Sequence, residues 1–528
     1  MCGFVVVKSD QVSMELFKKA LKRIVHRGPD YDKIIKKDAI LWGFNRLAIM
    51  DLSPLGNQPF QDLNTTVVCN GEIYNYPELK KMLEKEFTFK SGSDCEVLAP
   101  LYKKFDMEIL CKYLDGEFAC VLYDQDTKQI FAARDPIGIR PLFYGYTSID
   151  HQIAFSSEAK GLIDLCDEIY PFPPGHYYQD GQFICYNEIA KPRRMNDDSI
   201  DQIALELRTR LEKAVDKRLQ SDAPIGYLLS GGLDSSLVCA LGAKKSKTPI
   251  KTFAIGMKQD PIDLKYAKEV ADYIHSEHTE IIITKEDVLQ ALKEVIYHLE
   301  TWDITTIRAS IAMYLLCKAI HQQTDIKVIL TGEVSDELFG YKYTDFAPSP
   351  KAFQEEAQKR IKELYMYDVL RADRCISAHA LEGRVPFADL DFVEYALSIN
   401  PAKKMNIYQK GKYLLRHAFE GTNLLPDSIL FREKAAFSDA VGHSMVDYLK
   451  EYANSIYSDE DMQNAKVKYP DHTPFTKESL LYRDIFESYY PHKSHWIKDY
   501  WMPNKDWEHC DVDDPSARVL INYGKSGK

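Results

Sequence analysis

From about residue 203 the sequence alternates strand-like and helix-like segments, and this alternation limits the fold more than any other feature. The helical pattern IALELRTRLEKAVDKRL leads into the strand PIGYLL, the turn SGGLDSS and the helix LVCALGAKK. The strand IKTFAIGM, the helix LKYAKEVADYIHSE and the strand TEIIIT follow. Helical patterns at 287–299 and 307–322 then precede the strand IKVIL, which runs into TGEVSDE. This spacing predicts a parallel, doubly wound α/β sheet. Ligands of such sheets bind beyond the C-terminal ends of strands, where SGGLDSS (230–236) and TGEVSDE (331–337) both fall. The stretch from about 350 is helical and rich in aromatics and is expected to close that site.

Residues 1–190 have a different rhythm. FVVVK, ILWGFNRLAIMD, TTVVCNGEI, FACVLYDQDTKQIFAARD and QIAFSS are β-branched or aromatic runs broken by Gly, Pro, Asn and Asp. VSMELFKKALKRIVH and DCEVLAPLYKKF have helical spacing. Strands with a few inserted helices predict an α+β sandwich with helices over the outer faces. The polar stretch 191–202 reads as a linker, so the expected division is 1–190, linker, and 203–528. A chain of 528 residues is too long for one ordinary core, which agrees with that division.

A net charge of −12 argues against nucleic acid and anionic membrane as partners, so a polyanionic ligand has to be held by a local site. No stretch approaches the length of a membrane span, and the N-terminal residues do not read as a targeting segment. The eleven cysteines are scattered, without CxxC pairs, so a disulfide framework or structural zinc is not expected and the cytoplasm is the expected location.

SGGLDSS, placed between a strand and a helix, has the features of a pyrophosphate cradle. Two glycines allow close backbone approach, Ser230, Ser235 and Ser236 offer hydroxyls, and the helix N-terminus favours anions. Asp234 makes sense beside phosphate if Mg²⁺ is present. The loop resembles the signature of the ATP pyrophosphatases, which implies adenylation of an oxygen with release of pyrophosphate. TGEVSDE sets Glu333, Asp336 and Glu337 in one loop, suited to Mg²⁺, an amine, or general-base chemistry. Lys434 and Arg308 are cations that could balance phosphate charge.

Cys2 has a different claim. Removal of Met1 would give it a thiol and an α-amine together, and an amine of pKa about 7.7–8.0 can take the thiol proton and return it to a leaving group. Behind MCGF come HRGPD, RLAIMD, CNGEIYN and SGSDCEV, each of which alone reads as a turn. Their order resembles the class II glutamine amidotransferase domain, an N-terminal-nucleophile hydrolase fold with an αββα sandwich. With SEAKGL, FPPGHY, SGGLDSS, TFAIGM, TTIRAS, LRADR, RVPF, FTKESLLYRDIFE and DDPSAR included, the whole chain is similar to the glutamine-dependent asparagine synthetase family.

That resemblance implies glutamine, aspartate and ATP as small-molecule substrates, and it leaves a homodimer open. It makes Cys2 the nucleophile, with Asn70 and the Gly71 N–H as the oxyanion hole. Arg46 would clamp the glutamine carboxylate, the Leu47, Ala48, Ile49 and Met50 backbone would line the pocket, and Glu72 and Asp94 would hold the ammonium. In the second half it implies ATP at Leu229, Ser230, Gly231, Gly232, Asp234, Ser235, Ser236, Ile255, Thr331, Gly332 and Lys434. Arg308, Glu333 and Asp336 would serve aspartate and the adenylated intermediate, and Asp234 and Asp336 would meet Mg²⁺. An enclosed, neutral passage between the sites is expected, because ammonia free in water would be mostly protonated. The usual family loop is SGEGSDE. Val334 therefore stands where glycine is usual, and a β-branched residue disfavours positive φ. Either that position needs no positive φ or the loop is reshaped. RVPFAD for RVPFLD and FSDA for FSDG are milder departures. A β-lactam-synthetase-like relative would adenylate a larger substrate but typically lacks Cys2, and SGGLDSS argues against amidotransferases with phosphoribosyl- or sugar-binding domains. A catalytically silent scaffold would carry lesions at Cys2, Arg46, Asn70, Asp94, Asp234 or Lys434, and all six residues are intact.

Overall fold

The computed structural model describes residues 1–259, 261–406, 408–433 and 441–524. Lys434 lies outside them.

The first half contains two six-stranded antiparallel sheets. One is centred on the strands Gly3–Lys8 and Ile40–Arg46, the other on Thr65–Ile73 and Gly116–Asp124. Along Gly3–Lys8 the side chains alternate between two buried faces. Phe4 and Val6 join Trp42, Phe44, Val68, Ala119 and Val121 in a core between the sheets. Val5 and Val7 point the other way, against Phe17 and Leu21 of the helix Met14–Lys22. The second sheet buries Val67, Cys69, Phe118 and Cys120 under the helices Tyr76–Leu83, Leu98–Lys104 and Met107–Tyr113. The layers are therefore helix, sheet, sheet, helix, the sandwich expected. The two helical segments are shorter than their patterns: a 3₁₀ turn takes Val25–Arg27, and another takes Asp94–Val97.

In the second half the strands Glu277–Ile283, Lys251–Met257, Ile225–Leu228, Val328–Leu330 and Glu382–Arg384 form one parallel sheet in that order. Both faces are covered, as a parallel sheet requires. Val328 and Leu330 pack on one side with Leu207, Leu233 and Leu237, while Ile329 packs on the other with Phe253 and Ile311. The helix Ile200–Arg218 starts inside the stretch read as a linker, where Ser199 accepts the N–H of Gln202 and caps it. The edge strand Glu382–Arg384 was not foreseen, because EGR is too short and polar to carry a strand pattern.

The halves meet through buried charge as well as apolar contact. Arg27, fully buried, bonds Glu158 at 2.7 Å in its own half and Asp373 at 2.8 Å in the other. Arg374 answers with Glu300 at 2.8 Å, and Glu300 also accepts the N–H groups of Ala159 and Lys160. Arg218 joins Glu117 to Asp389. Removing one member of such a network leaves an uncompensated buried charge, which costs about 3–5 kcal/mol. Arg27→Met is therefore expected to lower the midpoint of urea unfolding by a corresponding amount, whereas removing the exposed Lys36–Asp10 pair by Lys36→Met should shift it by less than about 1 kcal/mol.

Candidate active sites

Cys2 immediately precedes the strand Gly3–Lys8 and packs on the core between the sheets. Its Sγ lies 3.7 Å from the carbonyl oxygen of Leu47. Burial pushes the thiol up to about 11 despite the nearby N-terminal amine. That amine belongs to Met1, donates to the carbonyl of Leu381 at 3.3 Å, and is lowered by burial to about 5. Asn70 sits on the facing sheet with no exposure, and neither its amide nitrogen nor its amide oxygen has a hydrogen-bond partner. A buried amide without partners costs roughly 1–3 kcal/mol per unmet group, so an acceptor is needed there. Gly71 has no room for a side chain, since a Cβ would lie 2.2 Å from the carbonyl of Glu117.

Glu72 and Asp94 are both buried. Asp94 accepts the Ile73 N–H at 2.7 Å and is raised to about 6, chiefly by burial. Burial, with Glu382 and Asp94 nearby, raises Glu72 well above the carboxylate range, and Arg384 opposes them at 3.2 Å. Arg46 does not present an open fork. Its guanidinium binds the carbonyls of Met50, Asp51 and Ser53 and the Asn57 side chain, so it organises the loop after RLAIM. Leu47 and Ile49 are buried, Ala48 donates its N–H to Asp30 at 2.8 Å, and Met50 is half-buried.

The second site follows from the order of the strands. The chain leaves Ile225–Leu228 toward one edge of the sheet and returns at Val328–Leu330 to build the other, so the adjacent pair marks a reversal of strand order. Loops from such a pair open onto one crevice. They are packed so closely that a Cβ on Gly332 would lie 2.7 Å from the Ser235 nitrogen. Gly231 has φ +70° and would strike Ala267 if it carried a side chain. A cavity opens there, lined by Leu229, Ser230, Gly232, Asp234, Ser235, Ile255, Thr331, Gly332, Glu333 and Asp336. Ser236 is buried behind it, and its hydroxyl and that of Thr331 lack partners.

Arg308 does not line the cavity. Glu478 and Asp514 bind its guanidinium, the latter at 2.9 Å, and it holds the Ser516 hydroxyl at 2.8 Å. Its charge is thus spent on the segment Pro515–Ala517, which lines the cavity in its place. Sequence reasoning missed cations that line the cavity, Lys412 and Arg371 among them. Lys412 bonds Asp234 at 2.6 Å, Ser335 at 3.0 Å and Asp336 at 2.5 Å, while Arg371 pairs with Glu333 at 2.5 Å. Arg371 stands in the LRADR motif, where its charge was a signal; Lys412 lies in no pattern that singles it out. Trp501 and Pro503 also line the cavity, so the C-terminal region does close it.

Val334 has φ +80° and ψ −20°, so the position does take a positive φ and valine adopts it. That conformation costs about 1–2 kcal/mol, offset by burying the isopropyl group among the apolar side chains beneath the sheet. The turn places Glu333 against Arg371 and Ser335 against Asp234. Alanine ordinarily gives a more stable chain than glycine, but here Val334→Gly is expected to unfold at higher urea than Val334→Ala, by about 1 kcal/mol. The reverse order in urea melts would show that the turn is unstrained.

Among the described residues no helix is long and apolar enough to cross a membrane, and all eleven cysteines are free thiols. A family model described as asparagine synthase matches residues 206–351 and 344–512, and one described as a glutamine amidotransferase domain matches residues 1–172. The chain is 42% identical to an asparagine synthetase (glutamine-hydrolyzing) of Cricetulus griseus over 572 aligned residues, covering 100% of both chains. The corresponding protein of Homo sapiens is 41% identical with the same coverage. A probable asparagine synthetase (glutamine-hydrolyzing) of Schizosaccharomyces pombe is 42% identical over 99% of each chain.

Proposed function

Because this chain belongs to the asparagine synthase family and carries a glutamine amidotransferase domain ahead of the synthetase domain, we propose that it makes asparagine from aspartate, ATP and glutamine. The observation that carries this reading is the presence, in one chain matched end to end, of two separate built sites. One is a nucleophile region facing a buried amide without partners, the other a phosphate-type crevice at the reversal of a parallel sheet.

In the first site the Cys2 sulfur attacks the side-chain carbonyl carbon of glutamine. Asn70 and the Gly71 N–H receive the negative oxygen, an effect worth about 3 kcal/mol per donor. The C–N bond breaks, the base proton goes to the departing ammonia, and water then cleaves the thioester to glutamate. Glu72 and Asp94 face the substrate ammonium, and Arg46 with the Leu47–Met50 backbone shapes the carboxylate end. With Met1 removed, the α-amine of Cys2 is the base.

In the second site a β-carboxylate oxygen of aspartate attacks the α-phosphorus of ATP and pyrophosphate leaves. Ammonia then displaces AMP from the acyl carbon. Ser230, Gly231, Gly232, Ser235 and Ser236 cradle the phosphates, and Leu229, Ile255, Thr331 and Gly332 surround the nucleoside. Glu333 serves the acyl step, with Arg371 holding its carboxylate. Lys434 adds positive charge from a segment outside the described residues. Arg308 acts indirectly, by holding Pro515–Ala517 in place.

Asp234 and Asp336 both reach the Lys412 ammonium, so two carboxylate oxygen donors stand close together where Mg²⁺ is expected. Bound there with the triphosphate, Mg²⁺ would neutralise the leaving pyrophosphate. One chain supplies both sites, so a homodimer is compatible with the activity but not needed for it. Free thiols throughout suit a reducing compartment, the cytoplasm.

Cys2→Ala is expected to abolish glutamine-driven synthesis while keeping ammonium-driven synthesis within about twofold, since only the first reaction uses the thiol. Loss of both would contradict the division into two sites. The role of Met1 has its own test. While Met1 is in place the thiol titrates near 11, so alkylation of Cys2 by iodoacetamide should rise about tenfold per pH unit from 7 to 10. Peptide mass spectrometry reads that site separately from the exposed Cys185. A plateau by pH 8 in the Met1-bearing chain would show that the thiol is already activated.

A further inference from the structure

One side chain lies between the two sites. Arg384 ends the edge strand Glu382–Arg384. Its main-chain carbonyl accepts the N–H of Thr331 at 3.0 Å, and Thr331 opens the loop that lines the nucleotide cavity. Its side chain, fully buried, runs toward the first domain. Nε donates to Glu382 at 2.9 Å, and Nη1 donates to the carbonyls of Arg218 at 3.0 Å and Gln220 at 2.5 Å. Nη2 lies 3.2 Å from Oε2 of Glu72, an ion pair without hydrogen-bond geometry.

The three well-directed bonds fix the guanidinium, whereas the fourth contact is electrostatic and can be exchanged. Burial and the like charges of Glu382 and Asp94 disfavour the ionised form of Glu72, so its carboxylate depends on a cation held against it, and in the empty pocket that cation is Arg384 at 3.2 Å. Any cation arriving at Glu72 therefore competes with Arg384, and the α-ammonium of glutamine is such a cation. We propose that Arg384 is a positioning residue that couples the two sites: Glu72 pairs with Arg384 when the amide pocket is empty and with the glutamine ammonium when it is filled. Release of Nη2 changes the balance of forces on a strand that is hydrogen-bonded to Thr331. The exchange has two discrete arrangements, one per occupancy, which is what a coupling device requires. Coupling of binding is reciprocal, so nucleotide bound beside Thr331 must change glutamine affinity by the same factor. The inference rests on the assignment of glutamine to the Glu72 pocket.

Cys2→Ala protein, which binds glutamine without consuming it, allows affinities to be measured by calorimetry with and without a non-hydrolysable ATP analogue plus aspartate. The expected result is a change in glutamine Kd of at least about fivefold, the lower end of ordinary coupling. Adding Arg384→Lys, which keeps the charge but loses the fork, should reduce that change to below about twofold. In an otherwise native chain the same substitution should keep ammonium-driven synthesis, as a check on folding. Glu382→Gln, which weakens the anchor of Nε, is the second variant and decides the question if Arg384→Lys does not fold. A Kd unaffected by nucleotide, or a shift that survives in the variants, would overturn the proposal. Failure of the Cys2→Ala protein to bind glutamine at all would instead overturn the pocket assignment beneath it.

Discussion

Arg27 and Glu158 are paired where no water reaches them, and the relation between the two domains depends on that buried charge. Arg27 turns from Glu158 to Asp373, Arg374 turns from Asp373 to Glu300, and Glu300 returns to the backbone of the first domain. Charges held this way tolerate little displacement, because each loses its compensation as soon as its partner moves. Apolar contact alone would allow the two bodies to slide. A chain that releases ammonia in one domain and consumes it in the other gains from an interface that does not, since ammonia escaping into water is protonated and lost to the acyl step.

The same accounting of charge explains the nucleotide crevice. Two carboxylates, Asp234 and Asp336, stand where a polyanion is expected, which would be unfavourable without a cation between them. Lys412 supplies one within the chain, and Arg371 does the same for Glu333. The crevice is thus nearly balanced before any ligand enters. A triphosphate would rearrange these pairings, not introduce charge into an empty space.

The parallel sheet, the sandwich and the two loops were legible in the sequence because each rests on local pattern. FVVVK alternates between two buried faces, PIGYLL runs straight into a glycine turn and a helix, and the residues after a strand end lie in the crevice by topology. Lys412 and Arg371 were not foreseen because their roles come from tertiary placement: Lys412 lies 76 and 178 residues from Asp336 and Asp234, and Arg371 lies 38 from Glu333. Arg308 misled for the converse reason. It stands near the site in sequence context, but Glu478 and Asp514 claim its charge from the far end of the chain. Val334 is instructive too: its side chain argued against a left-handed turn, and burial in the core outweighed that local preference.

The central claim is that amide nitrogen leaves glutamine in one domain and joins an adenylated aspartate in the other. It is tested most directly by supplying glutamine labelled with ¹⁵N at the side-chain amide, together with aspartate, ATP and unlabelled ammonium, and analysing every product. The account predicts asparagine carrying ¹⁵N in its side-chain amide, with AMP and pyrophosphate formed in equal amounts to it. Asparagine carrying only unlabelled nitrogen, or ADP and phosphate in place of AMP and pyrophosphate, would contradict it.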